Sequence, residues 1–232
     1  MTQPSLAEVL EACTRRCRDM DAPLSARLSA FADEVRRLDP AFADVVDRMV
    51  NRLRQSKAGS PAPSTGDQMP PFVLPDEEGH LVSLTDLLKQ GPVVVSFHRG
   101  HWCPYCRMSA DALAKIDPQV RAAGARLVLI TPEVQQFTRK FKADVNASFP
   151  ILTDLDSGYA LELSLAIKID DEKRVAMTQS GWDIALFQDN QSWTLPIPAT
   201  FVVGSDGLVK ARFVDPDYRK RMETEDLLTA LQ

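Results

Sequence analysis

Two cysteines three residues apart, in Trp102-Cys103-Pro104-Tyr105-Cys106, are the residues of this sequence best suited to covalent chemistry. Thiol chemistry runs through the thiolate, and a free Cys, with a pKa of about 8.5, is mostly protonated at neutral pH. The pair follows Val93-Val94-Val95-Ser96-Phe97, a continuous apolar run that predicts a strand covered on both faces. A helix is predicted to start near Cys103 and run to Ala123, ending at Gly124. At a helix N-terminus the unpaired N–H groups and the dipole favour thiolate over thiol. The i, i+3 spacing lets the two sulfurs close a small disulfide ring, so that one Cys attacks and the other resolves. Pro104 pre-sets the first helical turn. His98, Arg99, His101 and Arg107 add positive or protonatable groups close in sequence.

Other readings of the cysteines are weaker. A structural zinc site needs two more ligands, and no second C-x-x-C or H-x-x-x-H exists. Cys13 and Cys17 could complete a four-Cys site, but they fall on an apolar helical stripe where small buried Cys residues pack. Asp154 and Asp156 read as solvated turn residues rather than paired catalytic carboxylates. Arg15-Arg16 with Arg18, and Lys220-Arg221, read as charges on solvated helix faces. His80 reads as a turn residue. Trp182 and Trp193 flank a polar loop, Phe187 to Ser192, and read chiefly as packing residues.

The elements that must position the pair are legible along the chain. Ser5 with Glu8 forms a capping-box pattern, followed by Leu6, Val9, Leu10, Cys13, Cys17 and Met20 at helical spacing. Pro23 opens a second helical segment with Leu24, Leu28, Phe31, Val35 and Leu38 on one face. Asp39-Pro40 is an N-cap with Pro at the first helical position, ahead of Phe42, Val45, Val46, Met49, Val50 and Leu53. Residues 57–71 are rich in Pro, Ser and Gly and read as a linker. Beyond it strand and helix alternate. A hairpin is predicted around Asp76 to Gly79, and a buried strand over Arg126 to Thr131. A helix follows over about Glu133 to Val145, then a short strand at Ile151-Leu152. A second hairpin turns at Ser205-Asp206-Gly207, and a last helix covers about Glu223 to Leu231. A βαβ unit followed by a hairpin and a helix predicts an α/β class with a mixed sheet. The expected domains are a three-helix region over 1–57, a linker over 58–65 and an α/β domain over 66–232.

Composition narrows the partners. With 27 Lys and Arg against 32 Asp and Glu, the formal charge is −5, the wrong sign for a nucleic-acid footprint. Four Cys in 232 residues cannot form a disulfide scaffold. Charges at Glu8, Glu11, Arg15, Arg16, Arg18 and Asp19 leave no apolar core for a signal peptide, and no stretch is apolar for the length of a membrane span. A cytoplasmic location is therefore expected. There thiols are kept reduced and a C-x-x-C suggests redox chemistry.

Longer stretches carry a family resemblance. Gly66-Asp67 through Phe72-Val73-Leu74-Pro75-Asp76, with Gly79-His80-Leu81-Val82-Ser83-Leu84, resembles the opening of peroxiredoxins of the alkyl hydroperoxide reductase/thiol-specific antioxidant family. Val95 through Cys106 resembles its CPYC-containing branch, and Leu195 through Val203 with Asp206-Gly207 resembles the late strand pair. The resemblance spans about residues 66 to 231. It implies a thioredoxin-like fold, a mixed central sheet flanked by helices, preceded here by the N-terminal helical layer. By analogy Pro198 would be a cis-proline facing the site, with Thr200 beside it. The chain departs from the family's P-x-x-x-T-x-x-C pattern. With Cys106 as the attacking residue, Cys103 takes the Thr position and Arg99 the Pro position. With Cys103 attacking, Gly100 and Ser96 stand there. Pro198 occupies the place of the usual distant Arg, and Arg99 is the substitute cation nearest in sequence.

Three functions are expected in order of preference. The first is a thiol peroxidase acting on hydrogen peroxide or organic hydroperoxides. Cys106 is oxidised to sulfenic acid and Cys103 closes a disulfide, which thioredoxin or a low-molecular-weight thiol reduces. It needs no metal or organic cofactor. The second is a thioredoxin-like disulfide reductase in which Cys103, taken as the more exposed sulfur, attacks first; Trp102 suits that style of site. The third is a non-catalytic redox-sensing module. Supporting roles fall to Arg99, Trp102, Pro104, Tyr105, Pro198 and Thr200. A homodimer through the first helices is expected, because three apolar stripes need a surface to cover them.

Overall fold

The structure, a computed structural model, describes residues 6–232; Ser5 of the capping-box pattern lies outside them. Three helices come first: α1 (Leu6–Arg18), α2 (Leu24–Leu38) and α3 (Pro40–Gln55). The carboxylate of Asp39 accepts a hydrogen bond from Phe42 N–H at 2.9 Å, starting α3 with Pro40 at its first position. A hairpin of β1 (Val73–Pro75) and β2 (Leu81–Ser83) leads into the short α4 (Leu84–Leu88). Then follow β3 (Val93–Phe97), α5 (Pro104–Ala122), β4 (Arg126–Thr131), α6 (Gln135–Asp144), β5 (Ile151–Thr153) and α7 (Gly158–Glu162). The chain continues through β6 (Ala166–Lys168), α8 (Asp171–Gln179), α9 (Ile184–Gln188) and β7 (Thr194–Pro196). It closes with β8 (Ala199–Val203), β9 (Val209–Val214) and α10 (Thr224–Thr229).

The central sheet runs β5-β4-β3-β8-β9, with β3, β4 and β5 parallel, β8 antiparallel to β3, and β9 antiparallel to β8. Because side chains alternate across a strand, the sheet feeds two cores. Val93, Val95, Phe97, Val128, Ile130 and Phe201 pack on the face covered by the β1–β2 hairpin, α4 and α7. Val94, Leu127, Leu129 and Val202 pack on the face that carries α5 and the N-terminal helices. Both cores are needed because a sheet buried on both faces leaves no polar side for solvent.

The apolar stripes of α1–α3 find their surface within the chain. Cys13, Cys17, Leu28, Phe31, Val46 and Met49 are buried in the core that also holds Cys106 and Met108 of α5. α1 and α2 lie on α5, and α3 lies on α8. This removes the reason given for a dimer through these helices, since the stripes that needed a cover already have one. Ion pairs frame the seam. Arg107 pairs with Glu11 at 2.6 Å and Asp144 at 2.7 Å, and Arg18 pairs with Asp111 at 3.1 Å. Partly exposed pairs contribute about 0–1 kcal/mol each, whereas a fully buried apolar side chain contributes about 1.5–3 kcal/mol. The stripes therefore dominate the docking. Residues 58–72 are also held down. Ala62 and Met69 are buried, and the N–H groups of Gly66 and Met69 donate to Val209 and Gly207 carbonyls at 2.9 Å.

Three sequence expectations are corrected. Asp154 is buried, not solvated, and its carboxylate accepts from Tyr159 and Ala160 N–H at the start of α7. Arg221 is buried because its guanidinium turns inward to sulfur and to main-chain carbonyls. All peptide bonds among the described residues are trans, so Pro198 is not a cis-proline. An extended path suffices there: Ile197 N–H bonds Leu165 O at 2.8 Å, and Ala199 pairs with Phe97 and Val214.

Candidate active site

Strand β3 ends at Phe97, and the chain turns through Gly100 into α5, whose N-cap is Cys103. Gly100 has φ +136°, and a Cβ there would sit 2.6 Å from the Glu133 carboxyl and 2.7 Å from Trp102 Nε1, so the turn admits only glycine. Pro104 stands in the first turn, and Cys106 N–H donates to Cys103 O at 3.0 Å. The sequence spacing thus places both sulfurs on the first turn of α5. Cys103 and Cys106 are 1% and 0% exposed, and both are free thiols. Cys103 is therefore not the exposed sulfur, because α2 and α3 roof the site. It lines a cavity of about 140 Å³ beneath those helices, and Cys106 lies behind it.

The two thiols are in opposite electrostatic situations. Burial alone would raise the Cys106 pKa. The Cys103 thiol, the Arg221 charge and His98 outweigh burial and hold Cys106 well below the usual thiol value. Arg221 Nη2 and the Arg99 N–H each donate to Cys106 Sγ at 3.2 Å. Burial, together with the hydrogen bond to Cys106, pushes Cys103 well above the usual value. The pair is thus polarised, with Cys106 favouring the thiolate and Cys103 the thiol. His98 is fully buried and burial depresses its pKa. Its Nε2 meets Ser96 Oγ at 3.0 Å, and Ser96 Oγ meets Thr200 Oγ1 at 3.2 Å. Thr200, Ser96 and His98 thus form one buried hydrogen-bonded chain.

The remaining predicted residues divide by position. Arg99 contributes its N–H to sulfur, while its guanidinium lies 4.0 Å from the Tyr218 ring centre and 5.0 Å from that of Trp102. Arg221, not the Arg99 side chain, is the cation on Cys106. Tyr105 packs edge-on against Phe31 and Tyr218 and lines the cavity. Arg107 is spent on Glu11 and Asp144, and His101 Nε2 lies 3.6 Å from Asp144. Neither is bonded to the thiols. Pro198 is buried at the start of β8. Trp182 lines the cavity against Phe42, whereas Trp193 is a core residue. Cys13 and Cys17 are buried with sulfurs 3.9 Å apart, and burial raises Cys13 to about 11. Among the described residues no three His, Cys, Asp or Glu gather into a metal-binding group.

Three further residues complete the site. Arg221 lies in an irregular stretch before α10, where no local signal marks it. Glu133 follows β4 at the carboxyl end of a parallel strand, where open α/β sheets hold their sites, and that signal was available. Burial raises its carboxyl to about 8, against the hydrogen bond it accepts from His101 N–H at 2.8 Å. Lys173, on α8, has its side-chain nitrogen buried over the Phe42 ring at 3.4 Å, with no hydrogen-bond partner among the described residues.

The profile of the AhpC/TSA family matches residues 65–212. The Putative peroxiredoxin bcp of Coxiella burnetii is 30% identical over 146 residues, 63% of this chain and 85% of that protein. Chloroplastic Peroxiredoxin Q of Sedum lineare is 34% identical over 89 residues, 38% of this chain and 47% of that protein, so this match spans about half the relative's length. The crystal structure of peroxidoxin BcpB from Mycobacterium tuberculosis superposes with a TM-score of 0.57 at 21% identity, covering 73% of this chain and 96% of that one. That likeness is one of fold, and the mixed five-stranded sheet with its helices is thioredoxin-like.

Proposed function

This chain belongs to the AhpC/TSA family, and from that premise we propose that it is a thiol-dependent peroxidase of the peroxiredoxin kind. The observation that carries the reading is the asymmetry of the cysteine pair. Cys106 is held as thiolate by Arg221, His98 and the Arg99 N–H, and Cys103 waits beside it as thiol. The thiolate attacks the terminal oxygen of hydrogen peroxide or an organic hydroperoxide, and the O–O bond breaks. Cys106 becomes sulfenic acid, and water or an alcohol leaves. Glu133, which carries a proton below about 8 and feels the Cys106 charge, is the proposed proton donor to the departing oxygen. Cys103 then displaces water from the sulfenic acid, closing the Cys103–Cys106 disulfide, and thioredoxin or another thiol reduces it.

The disulfide-reductase alternative requires Cys103 to attack as thiolate. Its raised pKa disfavours that order. Among the described residues no helix is long and apolar enough to cross a membrane. A cytoplasmic location and a homodimer remain part of the proposal. The dimer would use a face other than the docked stripes of α1–α3, and sedimentation of the full chain decides it. The function is tested by peroxide consumption with dithiothreitol on wild type, Cys103→Ser and Cys106→Ser. Wild type is expected to turn over and Cys106→Ser to be inactive. Turnover retained in Cys106→Ser overturns the assignment.

A further inference from the structure

The cavity beneath α2 and α3 presents Cys103, not Cys106, to an incoming ligand. At about 140 Å³ it compares with engineered cavities of about 150 Å³ that hold a benzene-sized molecule. Its walls are aromatic, with Phe42, Trp102, Tyr105, Trp182 and Tyr218 among them. Two basic side chains line its interior with no acid paired to them among the described residues. Arg99 is 3% exposed and faces two rings, and no carboxylate lies within ion-pair distance of it among the described residues. Lys173 is 1% exposed, and its Nζ has no hydrogen-bond partner among the described residues. Asp47, on the wall, is already paired with Arg36 and Arg219, and Asp33 stands exposed at the rim. The interior thus holds the unpaired Arg99 guanidinium beside a buried lysine amine, and a buried anion would pair with the first and favour protonation of the second.

We propose that this cavity is the docking site for the reductant, a small thiol bearing a carboxylate, whose acid group pairs with Lys173 and Arg99 while its sulfur attacks Cys103. The proposal rests on the redox-pair reading above and names the reductant class. Burial, with the Arg99 charge nearby, holds Lys173 down at about 6, and a carboxylate beside it would favour the ammonium form. The chemistry favours attack at Cys103. The thiolate forms a bond to Cys103 Sγ, the Cys103–Cys106 bond breaks, and Cys106 departs as the stabilised thiolate. A leaving thiol of low pKa leaves faster, and a low-pKa thiolate returns less readily as a nucleophile. A second small thiol then attacks the sulfur of the first, releasing Cys103, which takes up a proton. Two small thiols supply the two electrons and leave as their disulfide. The products are Cys103 thiol, Cys106 thiolate and one proton in solution. A protein thiol, borne on a globular partner, does not fit a cavity of this size.

The test uses full-length protein oxidised with diamide, so that no peroxide chemistry is involved. Reduction is followed by tryptophan fluorescence with 3-mercaptopropionate, with uncharged 2-mercaptoethanol and with a reduced thioredoxin. Small-thiol rate constants are compared per thiolate. The carboxylate thiol is expected to react at least about tenfold faster than mercaptoethanol, the gain of one charge-assisted hydrogen bond. Lys173→Met is expected to bring that ratio close to one. Equal rates for the two small thiols in wild type overturn the proposal, as does an unchanged ratio in Lys173→Met. Thioredoxin outpacing both small thiols, indifferent to Lys173→Met, also overturns it. The wild-type comparison needs no variant to fold. If peroxide fails to oxidise Cys106 while the diamide-made disulfide shows the charge preference, the peroxidase reading falls and the cavity assignment stands.

Discussion

Arg221→Gln is the sharpest perturbation of the thiolate. Arg221 Nη2 lies 3.2 Å from Cys106 Sγ, and the same guanidinium bonds the carbonyls of Tyr218 and Lys220, which fix it in place. A hydrogen bond to a charged group contributes about 1.5–3 kcal/mol, and one pKa unit is about 1.36 kcal/mol. Glutamine keeps a donor but loses the charge, so the Cys106 pKa is expected to rise by about 1–2 units. The assay is thiolate absorbance in the ultraviolet as a function of pH. Cys103, well above the usual value, and Cys13, at about 11, interfere little. Arg221→Lys, which keeps the charge without the planar fork, is expected to fall between the two. Far-ultraviolet circular dichroism and thermal unfolding confirm that each variant is folded. A Cys106 midpoint in folded Arg221→Gln equal to wild type would refute the assignment of Arg221 as the stabilising cation.

Glu133→Gln tests the proton donor. Because the protonated carboxyl is the competent form and its pKa is about 8, wild-type kcat/KM for peroxide is expected to fall as pH rises through 8. The variant is expected to lose that limb and to be slower by about 10²-fold, the lower end of general-acid effects. The same group gives a stability signature. The folded state keeps a proton that the unfolded state releases, so stability should decline between about 4.5 and 8, at about 1.4 kcal/mol per pH unit. The difference between wild type and Glu133→Gln in denaturant titrations across that range isolates this slope. Arg107→Ala should loosen α1 by about 0–2 kcal/mol, because it removes two partly exposed ion pairs, with Glu11 and with Asp144. Hydrogen exchange over residues 6–18 should rise while exchange in β3 stays slow.

How much of this was legible in sequence depends on the range of the interaction. The apolar run at Val93–Phe97 and the Asp39-Pro40 cap are local signals, and the strand and helix they predict are observed. Cys103 and Cys106 were found because their spacing and their place after a strand are themselves local. The stretch between β5 and β8 was read without elements. Its strands β6 and β7 are three residues each, too short to show a period, and α9 is five. Lys173 was lost with that stretch. Arg221 was misread because a charged residue in an irregular segment looks solvated until the fold brings it 115 positions back to Cys106. Pairing of Arg107 and His101 with Asp144 was equally invisible, so sequence proximity credited them with a role at the thiols that Arg221 and His98 fill. The apolar stripes of α1–α3 were seen, but their partner surface, α5 and α8, is a matter of tertiary packing.

The most direct measurement of the central claim is the site of first oxidation. One equivalent of hydrogen peroxide is added to reduced Cys103→Ser protein, a sulfenic-acid trap is added at once, and peptides are mapped by mass spectrometry. Cys106 should carry the trapped sulfenic acid, and wild type treated the same way should show the Cys103–Cys106 disulfide instead. An unmodified Cys106, or peroxide-dependent oxidation confined to Cys13 or Cys17, would contradict the account.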